Sequence, residues 1–553
     1  MNTAVNRAMD VAEAVGTALV GAGVRRVFTL LGSGNFVVTG ALRDAGAEVF
    51  AGRHESATVT MADAYARLTG EVAVATLHQG PGLTNATTAI AEAAKSRTPM
   101  LVLAADTAGS AVRSNFRIDQ GGLATSVGAG VDRLHGPSSA VADALRAYRR
   151  AVVERRPIVL NMPLDVQAAQ CTATDARLGP MPGSVRPAAA VVEALADAVA
   201  RARRPVILAG RGARSAREPL EQLAEATGAL VATSAVAAGL FAGNEWDLGI
   251  SGGFASPGAA ELLTEADLVL GFGVSLTMWT TRHGRLLGDG ATVVQVDVDA
   301  DALGANHRVD LGVLGEAGET ARDLLAELAR RGHAPGGWRS DALRERIAAG
   351  RWADEPFTDA GTADRIDPRT LTVALEELLP ADRTLAVDSG HFMGWAPMYL
   401  SIPDPQGFVF TQGFQSVGLG LATAIGAAVA RPDRLTVAAL GDGGALMALG
   451  ELETVARLGL RMLVVVYDDS AYGAEVHHFG PDGHPVDLVQ FPEVDFAAFG
   501  RAAGLAGITV RTPEDLAAVR DWVAAGAGGA LVLDAKVVPT VVADWLEEAF
   551  RGH

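Results

Sequence analysis

The stretch Leu435–Gly473 constrains the fold more than any other part of this chain. Its two apolar runs, Leu435–Leu440 and Met462–Tyr467, are short and continuous rather than alternating. That is the pattern of strands buried on both faces of a parallel sheet. Each run ends in acid, at Gly441-Asp442-Gly443 and at Asp468-Asp469. A helix of about sixteen residues is expected between them, as the crossover that parallel neighbours require. Ligands of open parallel sheets collect at the carboxyl ends of the strands. Asp442 and Asp469 are therefore expected side by side, next to a helix N-terminus near Gly444. Carboxylate oxygens suit Mg²⁺ or Ca²⁺, and a glycine-flanked helix start suits a phosphate. Together they describe a cradle for a metal–diphosphate, although glycine and aspartate also build ordinary turns.

The 553 residues leave room for three domains of ordinary size. The first opens with a helix and strand over residues 9–31, closing on Gly32-Ser33-Gly34. A strand near Glu48–Ala51 then delivers Gly52-Arg53-His54-Glu55, and the helix Ser56–Leu68 ends at Gly70 as its cap. After the strand Glu71–Thr76 comes a glycine-rich turn, His78 to Asn85. Strands at Met100–Ala104 and Pro157–Asn161 complete a doubly wound sheet. A proline-bearing linker at 168–187 leads to a Rossmann-like middle domain with strands Pro205–Ala209, Leu268–Phe272 and Thr292–Val296. Its Gly210-Arg211-Gly212 turn lacks the full dinucleotide pattern and reads better as a connection. The third domain repeats the first in outline, from the helix Pro368–Leu379 and strand Thr384–Val387 to a strand at Leu531–Leu533 and a helix near 538–550. The expected fold class is α/β, with three doubly wound domains at 1–170, 188–330 and 366–553.

A net charge of −18 argues against nucleic acid or an anionic membrane as partner. One cysteine, Cys171, permits no internal disulfide and points to a reducing compartment. It lies in a polar linker, a poor setting for a catalytic thiol. Asp10 and Glu13 interrupt any targeting core at the N-terminus, and no apolar run reaches the ~20 residues of a spanning helix. A cytoplasmic location is expected.

The twenty-seven positions from Asp442 to Asp469 resemble the metal–diphosphate signature of thiamine-diphosphate (ThDP) enzymes. That family usually has asparagine where this chain has Asp468, and often at Asp469 as well. The resemblance extends over most of the chain to the pyruvate-oxidase-like branch, and is closest to acetolactate synthase large subunits. It implies Mg²⁺ held by Asp442, Asp469 and the Ala471 carbonyl, with Gly441, Gly443 and Gly444 beside the diphosphate. It further implies that Glu55 hydrogen-bonds the aminopyrimidine of the cofactor, and that His78, Gln79, Gly80, Pro81 and Asn85 line the pocket from the first domain. Gly390 and His391 match the phosphate-contacting turn. In the turn that contains Gln415, Val417 matches the apolar wedge beneath the thiazolium.

The implied reaction is decarboxylation of a 2-oxo acid followed by carboligation, with ThDP and Mg²⁺ as cofactors. Glu475 stands at the offset where 2-oxo-acid decarboxylases place an acid/base glutamate, so aldehyde release is the alternative. Gly273-Val274-Ser275-Leu276 departs from the flavin-contacting stretch of the acetolactate synthase group, which argues against FAD. In the family, Glu55 and the Asp442/Asp469 pair would come from different subunits, which implies a homodimer or homotetramer. A non-catalytic ThDP-binding paralogue and a metal-dependent phosphohydrolase are the other classes. Retention of Glu55 speaks against the first, and the His78–Asn85 turn against the second.

Overall fold

The computed structural model describes residues 9–551, so 1–8 and 552–553 of the expected outer domains lie outside the described residues. Three six-stranded parallel sheets follow one another along the chain. The first contains β1 (Arg26–Thr29), β2 (Glu48–Ala51), β3 (Ala73–Leu77), β4 (Met100–Asp106), β5 (Gly130–Arg133) and β6 (Pro157–Pro163). The second contains β7 (Pro205–Ala209), β8 (Leu230–Thr233), β9 (Asp247–Ile250), β10 (Leu268–Phe272), β11 (Thr292–Asp297) and β12 (Leu311–Leu314). The third contains β13 (Arg383–Val387), β14 (Phe408–Phe410), β15 (Leu435–Gly441), β16 (Met462–Asp468), β17 (Ala506–Val510) and β18 (Ala530–Lys536).

The strand orders are β2-β1-β3-β4-β6-β5 and β14-β13-β15-β16-β18-β17 for the outer sheets. These are the same topology, so the third sheet repeats the first. The middle sheet runs β12-β11-β10-β7-β8-β9, the doubly wound dinucleotide order, with β7 and β10 at the point where the winding reverses. β15 and β16 are buried at every residue, as unbroken apolar runs require when helices cover both faces.

The first and third sheets share one core. The helix Glu55–Thr69 packs on the small-residue helix Gly420–Ala430, and Met61, Ile425 and Val464 belong to a single apolar cluster. A side chain at Gly426 would collide with the backbone of Met61, so the close helix approach requires glycine there. Gly70 caps the first of these helices in the left-handed region, at φ 75°.

Two local expectations need correction. The crossover after β15 is not one helix but two, Asp442–Met447 and Glu451–Arg457, the first starting at Asp442 rather than near Gly444. A turn over residues 448–450, with Gly450 as N-cap, separates them; Met447 is 60% exposed before it, and Glu451, Leu452 and Val455 are buried after it. At the C-terminus only Leu546–Phe550 is helical, rather than the whole span near 538–550. Among the described residues no helix is long and apolar enough to cross a membrane.

Candidate active site

At the carboxyl ends of β13, β15 and β16 lies a cavity of about 870 Å³. Gly390, His391, Gln415, Val417, Gly441, Asp442, Gly443, Gly444, Asp469, Ala471 and Glu475 all line it. The strand register explains the gathering: Gly441 pairs with Tyr467, so both acidic strand ends stop at the same height. Asp442 opens the helix Asp442–Met447. Gln415 and Ser470, neither of them glycine, sit at φ 60° and 61°. Such left-handed residues cost on the order of 1–3 kcal/mol and collect at functional turns.

Burial, with Asp469 and Asp468 close by, pushes the Asp442 carboxyl up to about 8. Burial likewise raises Asp469 to about 7, against the help of the Ala471 N–H, which donates to its Oδ1 at 3.1 Å. Among the described residues neither carboxylate has an ion-pair partner, and such a buried, raised pair is a setting that a bound cation would stabilise.

Asp468 does not belong to this pair. Its Oδ2 takes the Lys536 ammonium at 2.6 Å, both side chains are buried, and its Oδ1 accepts the Ser470 N–H at 2.9 Å. The lysine is shared with the buried Asp534 at 2.9 Å, so it offsets the Asp468 charge in part, and what remains still raises Asp442 and Asp469.

The expected first-domain site residues form a second group: Glu55, His78, Gln79, Gly80, Pro81 and Asn85 do not line this cavity, although Lys95 and Ser96 of that domain do. Glu55 begins its helix, and its Oε2 accepts from Asn85 Nδ2 at 3.1 Å. His78 contacts the Gln79 carbonyl through Nδ1 at 2.8 Å and Ser33 Oγ through Nε2 at 3.3 Å. Gln79 is buried with its Oε1 unpartnered. Gly80, at φ 64°, passes hard against the backbone of Phe116, and Pro81 opens the short helix Pro81–Asn85. Thus within one chain the expected site residues fall into two halves.

His391 is committed: its Nε2 accepts the Ala543 N–H at 2.9 Å and its ring lies 4.4 Å from that of His477. Burial and His477 push it down to about 3, so it is neutral in ordinary buffers. Glu475 is exposed in the first turn of the helix Gly473–Phe479.

Three carboxylates that sequence reasoning passed over hold the two halves in place. Asp388, fully buried and raised to about 6 by that burial, accepts the Ser389 N–H at 2.8 Å and the Gly418 N–H at 3.1 Å. Glu451 Oε1 accepts the N–H groups of Arg53 and His54 at 2.8 and 3.0 Å, and its Oε2 accepts from Thr454 at 2.7 Å. Glu92 accepts the N–H groups of Gly413 and Phe414 at 3.0 and 2.6 Å while paired with Arg67 at 2.8 Å. Asp388 had a visible signal, an acid directly after a strand, as with Asp442.

Family models described as "Thiamine pyrophosphate enzyme" match in three parts: the N-terminal TPP binding domain over residues 9–124, the central domain over 192–324 and the C-terminal TPP binding domain over 388–535. An acetolactate synthase large subunit from Parasynechococcus marenigrum (strain WH8102) is 30% identical over 485 residues, which is 84% of this chain and 78% of the relative. The chain belongs to the thiamine pyrophosphate enzyme family. A probable 2-ketoarginine decarboxylase, AruI, from Pseudomonas aeruginosa is also 30% identical, over 92% of this chain and 90% of the relative. A sulfoacetaldehyde acetyltransferase from Rhodobacter capsulatus is 29% identical, over 96% of this chain and 93% of the relative.

The residues of this thiamine pyrophosphate enzyme fit a metal–diphosphate. Asp442 and Asp469 are buried carboxylates without an ion-pair partner among the described residues, where no group of three histidine, cysteine or acidic side chains forms a metal site of its own. Mg²⁺ suits such a donor set, since it takes one or two carboxylates and fills the rest of its shell with phosphate and water.

Proposed function

We propose that this protein is a ThDP- and Mg²⁺-dependent enzyme that decarboxylates a 2-oxo acid and joins the remaining fragment to a second carbonyl, as an acetolactate synthase-like carboligase. The observation that carries the reading is the presence in one chain of Glu55 on one half-site and of the buried, raised Asp442 and Asp469 on the other. A phosphohydrolase built on the aspartates alone would leave Glu55 without a purpose.

When bound, ThDP supplies a nucleophilic carbon that adds to the 2-oxo acid and takes up the electrons released with CO₂. Asp442, Asp469 and the Ala471 carbonyl hold the metal in this reading, and the turns at Gly390 and at Gly443–Gly444 receive the diphosphate. Gln415 and Val417 orient the ring, with their turn anchored by Asp388 and Glu92. Glu55 would hydrogen-bond the pyrimidine ring of the cofactor, with Asn85 donating to its Oε2 at 3.1 Å and so helping to orient the carboxyl group. His78 and Gln79 would line the cofactor pocket from the same half.

The two halves meet in this reading across a homodimer, each chain giving Glu55 to the partner's metal half. Exposed apolar residues lie on both halves, Phe36, Val37 and Phe116 on one, Phe414, Leu446 and Met447 on the other. Exposed apolar patches of this kind mark association surfaces. FAD is left out: Ser275 stands in the flavin-contacting stretch, and Gly210 and Gly212 are spent on backbone contact with Gly273–Val274.

Glu475 supports a second reading. It lines the cavity as an exposed acid, where it could deliver the proton that releases an aldehyde. The relatives' names divide in the same way, between a synthase, a decarboxylase and an acetyltransferase.

Calorimetric titration with ThDP tests the core of the proposal. Binding is expected only with Mg²⁺ present and is expected to vanish in Asp442→Ala. Unchanged affinity in that variant would reject the site. A CO₂-release screen over 2-oxo acids then identifies the substrate.

A further inference from the structure

A second cavity, of about 300 Å³, lies where the middle domain, the segment after it and the third domain meet. Its size is at the lower end for a small-molecule site. The edge strand β9 and the helix Pro257–Thr264 line it from the middle domain. Among the described residues it shares no lining residue with the 870 Å³ cavity. One short helix, Trp395–Tyr399, touches both, the larger cavity through Trp395 and the smaller through Pro397 and Met398.

Much of the wall is aliphatic, from Leu248, Ile250, Leu262, Ile347, Met398 and Leu400. Among the described residues its charged side chains are Asp247 and Arg351, one of each sign. Asp247 is half-buried; its Oδ1 accepts the Gly249 N–H at 2.8 Å, and its Oδ2 has no partner among the described residues. Burial raises this carboxyl to about 6, and of its charged neighbours Arg351 acts on it most. The other two are already committed. Arg217 and Glu221 pair with each other at 3.3 Å, while Arg217 also donates to the Ala242 carbonyl and Glu221 accepts from Asn244. Arg351 is exposed, and its guanidinium makes no hydrogen bond or ion pair among the described residues. Asp247 and Arg351 thus feel each other across the cavity without forming an ion pair. A half-buried carboxylate with a free oxygen favours a cationic donor, and a free guanidinium presents a fork to a carboxylate.

We propose that this cavity binds a free α-amino acid with an apolar side chain, its ammonium on Asp247, its carboxylate on Arg351 and its side chain among the aliphatic residues. A ligand that carries both charges answers both groups. A simple amine would leave Arg351 unused, and a simple acid would leave Asp247 without a counter-charge. The site lies outside the machinery of the proposed reaction and does not depend on it.

The test titrates the full chain by calorimetry with three probes of one carbon skeleton. These are L-leucine, 3-methylbutylamine, which lacks its carboxylate, and 4-methylpentanoate, which lacks its ammonium. Leucine is expected to bind at least about tenfold more tightly than either, a typical gain for a charge-assisted bond. Asp247→Asn keeps an oxygen for the Gly249 N–H, and Arg351→Met alters an exposed side chain. Each is expected to weaken leucine binding by about tenfold or more while ThDP–Mg²⁺ titration stays as in the unsubstituted protein. That titration reports folding, and should Asp247→Asn lose it, Arg351→Met decides alone. No leucine binding, an amine or acid that binds as tightly as leucine, or undiminished leucine affinity in either variant would overturn the site.

Discussion

Glu451 and His54 are joined across nearly four hundred residues of chain: the buried Glu451 carboxylate accepts the His54 N–H at 3.0 Å, together with the Arg53 N–H at 2.8 Å. The third domain thereby fixes the turn that presents Glu55 from the first. A charged hydrogen bond of this kind contributes about 1.5–3 kcal/mol.

Glu451→Ala is therefore expected to lower kcat by roughly 10–100-fold while the affinity for ThDP–Mg²⁺ stays within about threefold, because the metal half is untouched. Glu451→Gln keeps an acceptor oxygen and should recover most of the rate. Equal loss of kcat and of ThDP binding in both variants would indicate a merely structural residue.

Glu475 separates the two reactions. If it delivers the proton that releases an aldehyde, Glu475→Gln should suppress aldehyde formation more than CO₂ loss, and an added acceptor carbonyl should divert the fragment into a ligated product. Product analysis by gas chromatography, alongside a CO₂ assay, reads the ratio. A wild-type product ratio would leave Glu475 as a surface residue and favour the carboligase.

The buried Asp468–Lys536 pair yields a stability prediction. Lys536 also bridges the buried Asp534 at 2.9 Å, so Lys536→Met leaves two buried carboxylates, Asp468 and Asp534, without their cation and is expected to cost at least about 3–5 kcal/mol in urea unfolding. Adding Asp468→Asn should return only part of that loss, because Asp534 stays buried without its cation. An additive double-mutant cycle would show that the two side chains do not interact.

His391 sets an acid limit. Its folded value is near 3 against 6.5 for an exposed imidazole, so below pH 6.5 the unfolded chain binds a proton that the folded chain does not. Its contribution is fully present above pH 6.5 and is lost as pH falls toward 3, by up to about 1.4 kcal/mol per pH unit. His391→Asn should flatten the thermal midpoint between pH 6.5 and 4. An unchanged slope would mean that His391 is not the titrating group.

The strands that carry the chemistry were legible because they are apolar throughout: β7 and β10 stop where the sequence places them, and β15 and β16 run one residue further. Those missed at β5, β9, β12, β14 and β17 are all sheet edges, short or half-exposed, where packing rather than apolar content decides. β8 was missed as well, a four-residue strand inside the middle sheet. Asp442 and Asp469 were legible from their strand ends. The partner of Asp468 was not, since Lys536 lies sixty-eight positions away and meets it only through the β16–β18 pairing. Glu451 and Glu92 escaped for the same reason: their roles are contacts with backbone in another domain, which leave no local pattern.

The central claim is that Glu55 activates ThDP held by the metal half. Deuterium exchange at the thiazolium C2, followed by NMR on acid-quenched samples, tests it most directly. Glu55→Gln is expected to bind ThDP–Mg²⁺ nearly as tightly as the unsubstituted protein and to exchange the C2 proton about 10²–10⁴-fold more slowly. Unsubstituted-protein exchange rates in Glu55→Gln would contradict the account and leave Glu55 as an ordinary residue at the start of a helix.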